Sequence, residues 1–322
     1  MSPPFVSILI PCYNAAPWLR ATLDSCLAQT WPHCEIILVD DGSTDDSVAL
    51  ARAYESRGVR VLTQANRGAS AARNTARRAA RGDYLQFLDA DDLLAPEKIA
   101  RQLARAAQAP AGTSFTAHWG RFQSDPAQAE FRETNALFAD LSPVDYLQRY
   151  GNHDCMTHPA AWLVPRAVAD AAGPWDESLS LNDDGEYFAR VVAASTNILY
   201  CRDAISLYRS GLPTSLSAQR SRRHLASAHR AVALITAHMT ALDPSPAMRT
   251  AAANYWQRFA YEYYPAVPDL VADAEASARA LGGATFAPLG GRFFQAARRL
   301  VGWKAARRLQ ILVDRHPRPP SP

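Results

Sequence analysis

Aspartates recur where apolar runs of this sequence end. In YLQFLDADDLL, residues 84–94, an apolar run passes directly into Asp89, Asp91 and Asp92. Two carboxylates at i and i+2 on a turn leaving a buried strand can approach one divalent cation. Such hard oxygen ligands suit Mg²⁺ or Mn²⁺, with waters and substrate phosphates completing the shell. The alternative is a surface turn in which Asp92 caps the following helix. In EIILVDDGSTDD, Asp40 and Asp41 close another run. A carboxylate there can accept hydrogen bonds from the base or ribose of a nucleotide. In LNDDGEYFARVV, residues 181–192, Asp183 and Asp184 precede a helical stripe of Tyr187, Val191 and Val192. At that place they complement the helix dipole, or one of them serves as a general base. Arg73 and Arg209 are candidate phosphate partners, with a solvated surface arginine as the alternative.

These residues need elements to bring them together. FVSILI (5–10), EIILVD (35–40), VRVLT (59–63) and YLQFLD (84–89) read as buried strands. Between them lie helical patterns: Leu19, Leu23, Cys26 and Leu27 share one face after Pro17, and Val48, Leu50 and Tyr54 follow the N-cap candidates Ser43 to Asp45. A third helix is expected over residues 70–81, with Gly82 as its stop. Alternation with short connections means a parallel sheet with helices on both faces. Ligands bind such sheets beyond the carboxyl ends of the strands. Here those ends read PCYN, DDGSTDD, QANRG and DADD, all polar. Further on, a helix is expected over 96–107, a strand over 113–122, a helix over 183–194, and strands at NILYC and AISLYR. From about residue 215 the pattern is mostly helical, punctuated by prolines, and the tail HPRPPSP reads as disordered.

In this order and spacing, SILIPCYNAAPWLRATLDSCLAQTW, EIILVDDGSTD, NRGASAARN, FLDADD and NDDGEYFAR resemble a family-2 glycosyltransferase of the GT-A fold, over about residues 4–210. The resemblance implies a Rossmann-like, mostly parallel sheet in a catalytic domain (1–212), followed by a helical extension (213–322). It also implies transfer of a sugar from a nucleotide-diphosphate donor, most simply a UDP-sugar, to an acceptor hydroxyl with inversion. Carried over by position, Pro11 and Tyr13 line the base pocket, Asp41 bonds the base and Arg73 faces the nucleotide. Asp89 touches ribose or metal, and Asp91 is the metal ligand bridging the diphosphate. The family's Glu-Asp pair before the late helix is Asp183-Asp184 here, which makes Asp184 the base. A nucleotidyltransferase is disfavoured because PCYNAAPWLR is no Gly-rich basic phosphate loop; a non-catalytic nucleotide-sugar-binding member remains a rival.

The segment 151–166 follows the metal motif, where the family often shapes its acceptor pocket; His158 and Trp162 could meet a sugar there, with a core tryptophan and surface histidine as alternatives. Arg209 could reach the diphosphate, Trp175 reads as packing, and Cys12 as a buried filler. The acceptor class implied is a carbohydrate or a lipid-linked glycan, in bacterial-type polysaccharide or glycoconjugate synthesis. A net charge of +3 over 322 residues gives no case for nucleic-acid binding. Five scattered cysteines without a CxxC pair suit a reducing compartment. No signal-like start and no run of about 20 apolar residues leave a cytoplasmic protein as the expectation. Residues 291–318 carry eight Arg or Lys and one Asp interleaved with large apolar side chains. That composition suits either a helix on the inner, anionic face of a membrane or a helix packed on the domain with a basic outer face.

Overall fold

The computed structural model describes residues 3–212, 219–286 and 292–314. The first half lays down β1 (Val6–Cys12), α1 (Ala16–Leu27), β2 (Cys34–Asp40), α2 (Ser47–Ala53), β3 (Val59–Thr63), α3 (Ala69–Ala79) and β4 (Tyr84–Phe87). After them come β5 (Leu93–Leu94), α4 (Lys98–Ala106), β6 (Ser114–Phe122), β7 (Glu130–Phe131), α5 (Pro143–Asn152) and β8 (Val164–Pro165). The rest comprises α6 (Arg166–Ala172), α7 (Asp183–Ala194), β9 (Ile198–Arg209), α8 (Arg222–Leu242), α9 (Pro246–Tyr263), α10 (Pro268–Ala280) and α11 (Arg292–Asp314).

The central sheet has the order β3-β2-β1-β4-β8, parallel except for β8. Its strands are apolar on both faces because both are covered. Along β1, Val6, Ile8 and Ile10 join one core with Leu19, Leu23 and Ile99, while Leu9 faces a second core with Ala72, Trp162 and Tyr187. The two-residue repeat of a strand produces this division. The chain steps outward from β1 to β3, then returns to the other side of β1 with β4. That reversal opens a crevice at the carboxyl ends of β1 and β4, where Tyr13 and the 89–92 turn lie.

A second sheet, β5-β9-β6-β7, stands beside the first. The two strands expected at NILYC and AISLYR are one continuous strand, β9, whose pairing with β6 is irregular between Ala117 and His118. Pairing of β9 with β5 carries Arg209 back to the turn at residues 91–92. Serines cap α5, α8 and α9, and prolines occupy the first turns of α5, α9 and α10; both use the unpaired amides of a helix start. Leu225, Ile235, Trp256 and Phe259 of α8 and α9 share one core with the central sheet. The expected boundary at 212/213 adjoins residues outside the described set, as does the tail HPRPPSP.

Two local expectations are corrected. Gly82 is not a helix stop in a left-handed conformation; α3 ends at Ala79, and a side chain at Gly82 would lie 2.5 Å from the Ser7 amide. Close approach of two backbones is what demands glycine there. Asp92 does not cap a helix either, because α4 starts six residues later, at Lys98.

Candidate active site

The 89–92 turn leaves β4 with three carboxylates in different circumstances. Asp92 is buried, accepting from the Arg209 backbone amide at 2.8 Å and lying 3.1 Å from His158 Nδ1. Asp89 is paired to Arg73 Nη2 at 2.7 Å. Asp91 receives no hydrogen bond or ion pair from another described residue's side chain. Burial, then Asp92 and Asp89, push its carboxyl up to about 8. An oxygen donor that lacks a positive partner fits a hard divalent cation. Among the described residues no group of three or more His, Cys, Asp or Glu could enclose one, so water and a diphosphate would have to complete its shell.

Arg73 was expected to face the nucleotide, but its guanidinium is occupied by protein. Nη2 donates to Asp89, Nη1 donates to Asp183 at 2.8 Å, and its face lies 4.5 Å from the Trp175 ring. It is buried. Thus α3 ties the metal-side turn to the start of α7, across residues 110 positions apart. Trp175 packs as expected, stacked on Tyr187 at 4.0 Å.

The neighbouring pair divides its roles. Asp183 is filled by Arg73 and by Ser70 Oγ at 2.9 Å. Asp184 takes only the adjacent Gly185 amide, at 2.8 Å, and lines a cavity of about 340 Å³. Burial and the charge of Asp183 raise its carboxyl to about 6, against the opposing pull of Arg73. Asn182 makes this turn with φ 64°, and a side chain at Gly185 would come 2.2 Å from its Oδ1. Asparagine tolerates that backbone, and glycine leaves the room it needs. The cavity lies among α5, α7, α8 and α9, walled by Tyr146, Tyr150, Tyr255, Arg258 and Phe259. Sequence reading missed these residues; the aromatic run RFAYEYY was their only trace.

At the nucleotide end, Tyr13 is 52% exposed beside buried Pro11. Asp41 accepts from Gln64 Nε2 at 2.7 Å and from the amides of Arg67 and Gly68 at 2.9 and 2.7 Å. Its oxygens therefore anchor the start of α3. Asp40 Oδ2 accepts from the Gly42 and Ser43 amides, whereas Oδ1 is buried without a partner.

The remaining candidates are enclosed. Trp162 is 0% exposed and stacks on Phe188 at 4.7 Å. His158 is buried between Asp92 and Ser206, and burial pushes it down to about 3, so it is neutral at physiological pH. Arg209 donates Nε to the Asp91 carbonyl at 3.0 Å and Nη1 to Gln123, beside the Asp91 carboxylate. Cys12 is a filler, its thiol pushed up to about 12 by burial.

Residues 7–170, just over half of the chain, match the model for glycosyl transferase family 2. The chain belongs to glycosyl transferase family 2. The match ends before Asp183 and Asp184. An uncharacterized glycosyltransferase of Haemophilus influenzae is 42% identical over 106 residues, 32% of this chain and 42% of that protein. EpsJ of Bacillus subtilis, an uncharacterized glycosyltransferase, is 45% identical over 107 residues, 33% of this chain and 31% of its own. The matched region thus spans less than half the length of these relatives. TuaG of Bacillus subtilis, provisionally named for teichuronic acid biosynthesis, is 39% identical over 118 residues, 36% of this chain and 47% of its own. Among solved structures, residues 1–349 of S. aureus TarS with UDP-GlcNAc superpose with a TM-score of 0.72, covering 96% of this chain and 92% of that one at 14% identity. The mannosyltransferase PcManGT of Pyrobaculum calidifontis, with GDP-Man and Mn²⁺, gives 0.55 at 18% identity over 96% and 84%. The fold is GT-A, with a helical C-terminal region.

Proposed function

We propose that this family-2 member is an inverting glycosyltransferase that moves a sugar from a nucleotide-diphosphate donor, a UDP-sugar, to an acceptor hydroxyl with Asp184 as the base. The observation that carries the reading is the inequality of the aspartate pair. Asp183 is consumed by Arg73 and Ser70, while Asp184 faces the cavity without a side-chain partner and with its carboxyl raised to about 6. A base poised near neutrality at a cavity wall is what deprotonation of a hydroxyl requires.

In this reading the acceptor enters the cavity between α7 and α9, and its hydroxyl oxygen attacks sugar C1 from the face opposite the diphosphate. The C1–oxygen bond to the diphosphate breaks, and the hydroxyl proton passes to Asp184. A single displacement inverts C1 and needs no protein nucleophile. Tyr13 stacks on the base, and the open Asp40 Oδ1 matches the one imide N–H of uracil. Bound through Asp91, Mg²⁺ or Mn²⁺ would offset the negative charge developing on the departing diphosphate. Arg209 stands beside that position, and Arg73 acts indirectly, holding Asp89 and Asp183 in place. Relatives named for teichuronic acid biosynthesis and solved with UDP-GlcNAc or GDP-Man with Mn²⁺ support a nucleotide-sugar donor, a divalent ion and a role in polysaccharide synthesis.

Calorimetric titration of UDP- and GDP-sugars with and without Mn²⁺ tests the reading. A UDP-sugar should bind in a metal-dependent way, and Asp91→Asn should reduce that binding to the level seen with chelator. Binding indifferent to metal, or to Asp91→Asn, would remove the assigned metal position.

A further inference from the structure

We propose that α11 is a membrane-surface helix that docks this protein on an anionic lipid bilayer. Residues 292–301 and 303–314 are helical on either side of Gly302, whose φ of 77° and ψ of 161° break the helix in two. One face of both halves belongs to the protein. Phe294 and Ala306 are buried, Trp303 packs on Tyr261 and Tyr264, and Lys304 pairs with Glu275 at 2.7 Å. The opposite face has no protein against it. Six large apolar side chains are exposed among the described residues, and four of them are on this helix: Leu300 (85%), Val301 (55%), Leu309 (52%) and Leu312 (59%). Scattered apolar residues need no explanation, but a concentration on one face marks an interaction surface.

Charge selects the occupant. Arg299 and Arg308 are exposed next to Leu300 and Leu309, and among the described residues neither forms an ion pair. Residues 292–314 carry six Arg or Lys and one Asp. An apolar face edged by arginine complements a surface that is apolar beneath and negative at its rim, which is an anionic bilayer. A second copy is disfavoured, because opposing two such faces sets arginine against arginine. No helix among the described residues is long and apolar enough to cross a membrane, so the contact is peripheral.

Sedimentation of the full chain with lipid vesicles tests the proposal. The protein should partition onto phosphatidylcholine vesicles containing about 30% phosphatidylglycerol, not onto pure phosphatidylcholine, and should be released as salt rises from about 0.05 to about 0.5 M. Leu309→Glu with Leu312→Glu should lower partitioning at least ~10-fold by removing buried apolar area. Arg299→Ala with Arg308→Ala should lower it about 25-fold, since each basic residue near such a surface strengthens attachment roughly five-fold. All four positions are exposed, so thermal melts should be unchanged. Absence of partitioning at low salt, or variants that partition like the wild type, would overturn the proposal. So would a dimer in light scattering that Leu309→Glu dissociates, since a second copy would then cover this face.

Discussion

Replacing Asp184 by Asn separates its chemistry from its structural cost. The amide keeps the shape and can still accept from the Gly185 amide, but it cannot take a proton. General base catalysis is worth about 10²–10⁴ in rate, so nucleoside diphosphate release in a coupled assay should fall by that factor, with donor binding unchanged. Wild-type activity should fall as pH drops through about 6, where the base becomes protonated, and the residual activity of the variant should lack that limb. Stability should move the other way. The folded-state carboxyl sits at about 6 instead of 3.8, so its ionised form costs stability above pH 6, and the cost disappears as pH falls towards 3.8. Roughly two pH units correspond to about 3 kcal/mol; partial solvent access and coupling to Asp183 reduce this to about 1–2 kcal/mol. Asp184→Asn should therefore melt about 2–3 °C higher at pH 8, with the gain vanishing near pH 4. Turnover within ten-fold of wild type, or an acid limb that survives the substitution, would refute Asp184 as the base.

Arg73→Ala leaves Asp89 and Asp183 buried without their cation, and urea unfolding should show a loss of about 3–5 kcal/mol. Tyr13→Ala, at an exposed position, should change stability by less than about 0.5 kcal/mol, yet weaken donor binding about 5–150-fold in calorimetry, the range for one ring stacked on a base. Trp162→Ala should cost about 3–5 kcal/mol in unfolding with donor affinity intact; a fall in kcat/KM without a loss of stability would instead put this ring against the acceptor.

The parts of this protein that depend on near neighbours in the chain were legible before any coordinates. The four strands and the helices between them follow from apolar repeats of two and 3.6 residues, which are local steric facts. The polar strand ends follow as well, because a doubly covered sheet has only its edges open to a ligand. What the local pattern could not carry was pairing between distant segments. Asp183 and Asp184 are the same residue type side by side, and only Arg73 and Ser70, brought over by the packing of α3 on α7, make one an anchor and the other a free carboxylate. Asp41 looked free to bind a base, but the loop before α3 supplies it with three donors, and the open acceptor is Asp40. Asp92 looked like a helix cap until β9 returned beside it and supplied the Arg209 amide. The cavity wall from α8 and α9 has no motif because it is defined by shape. Chemical potential at each position was written in residue type, while the choice among equal candidates was made by burial and long-range contacts, which exist only once the chain has folded.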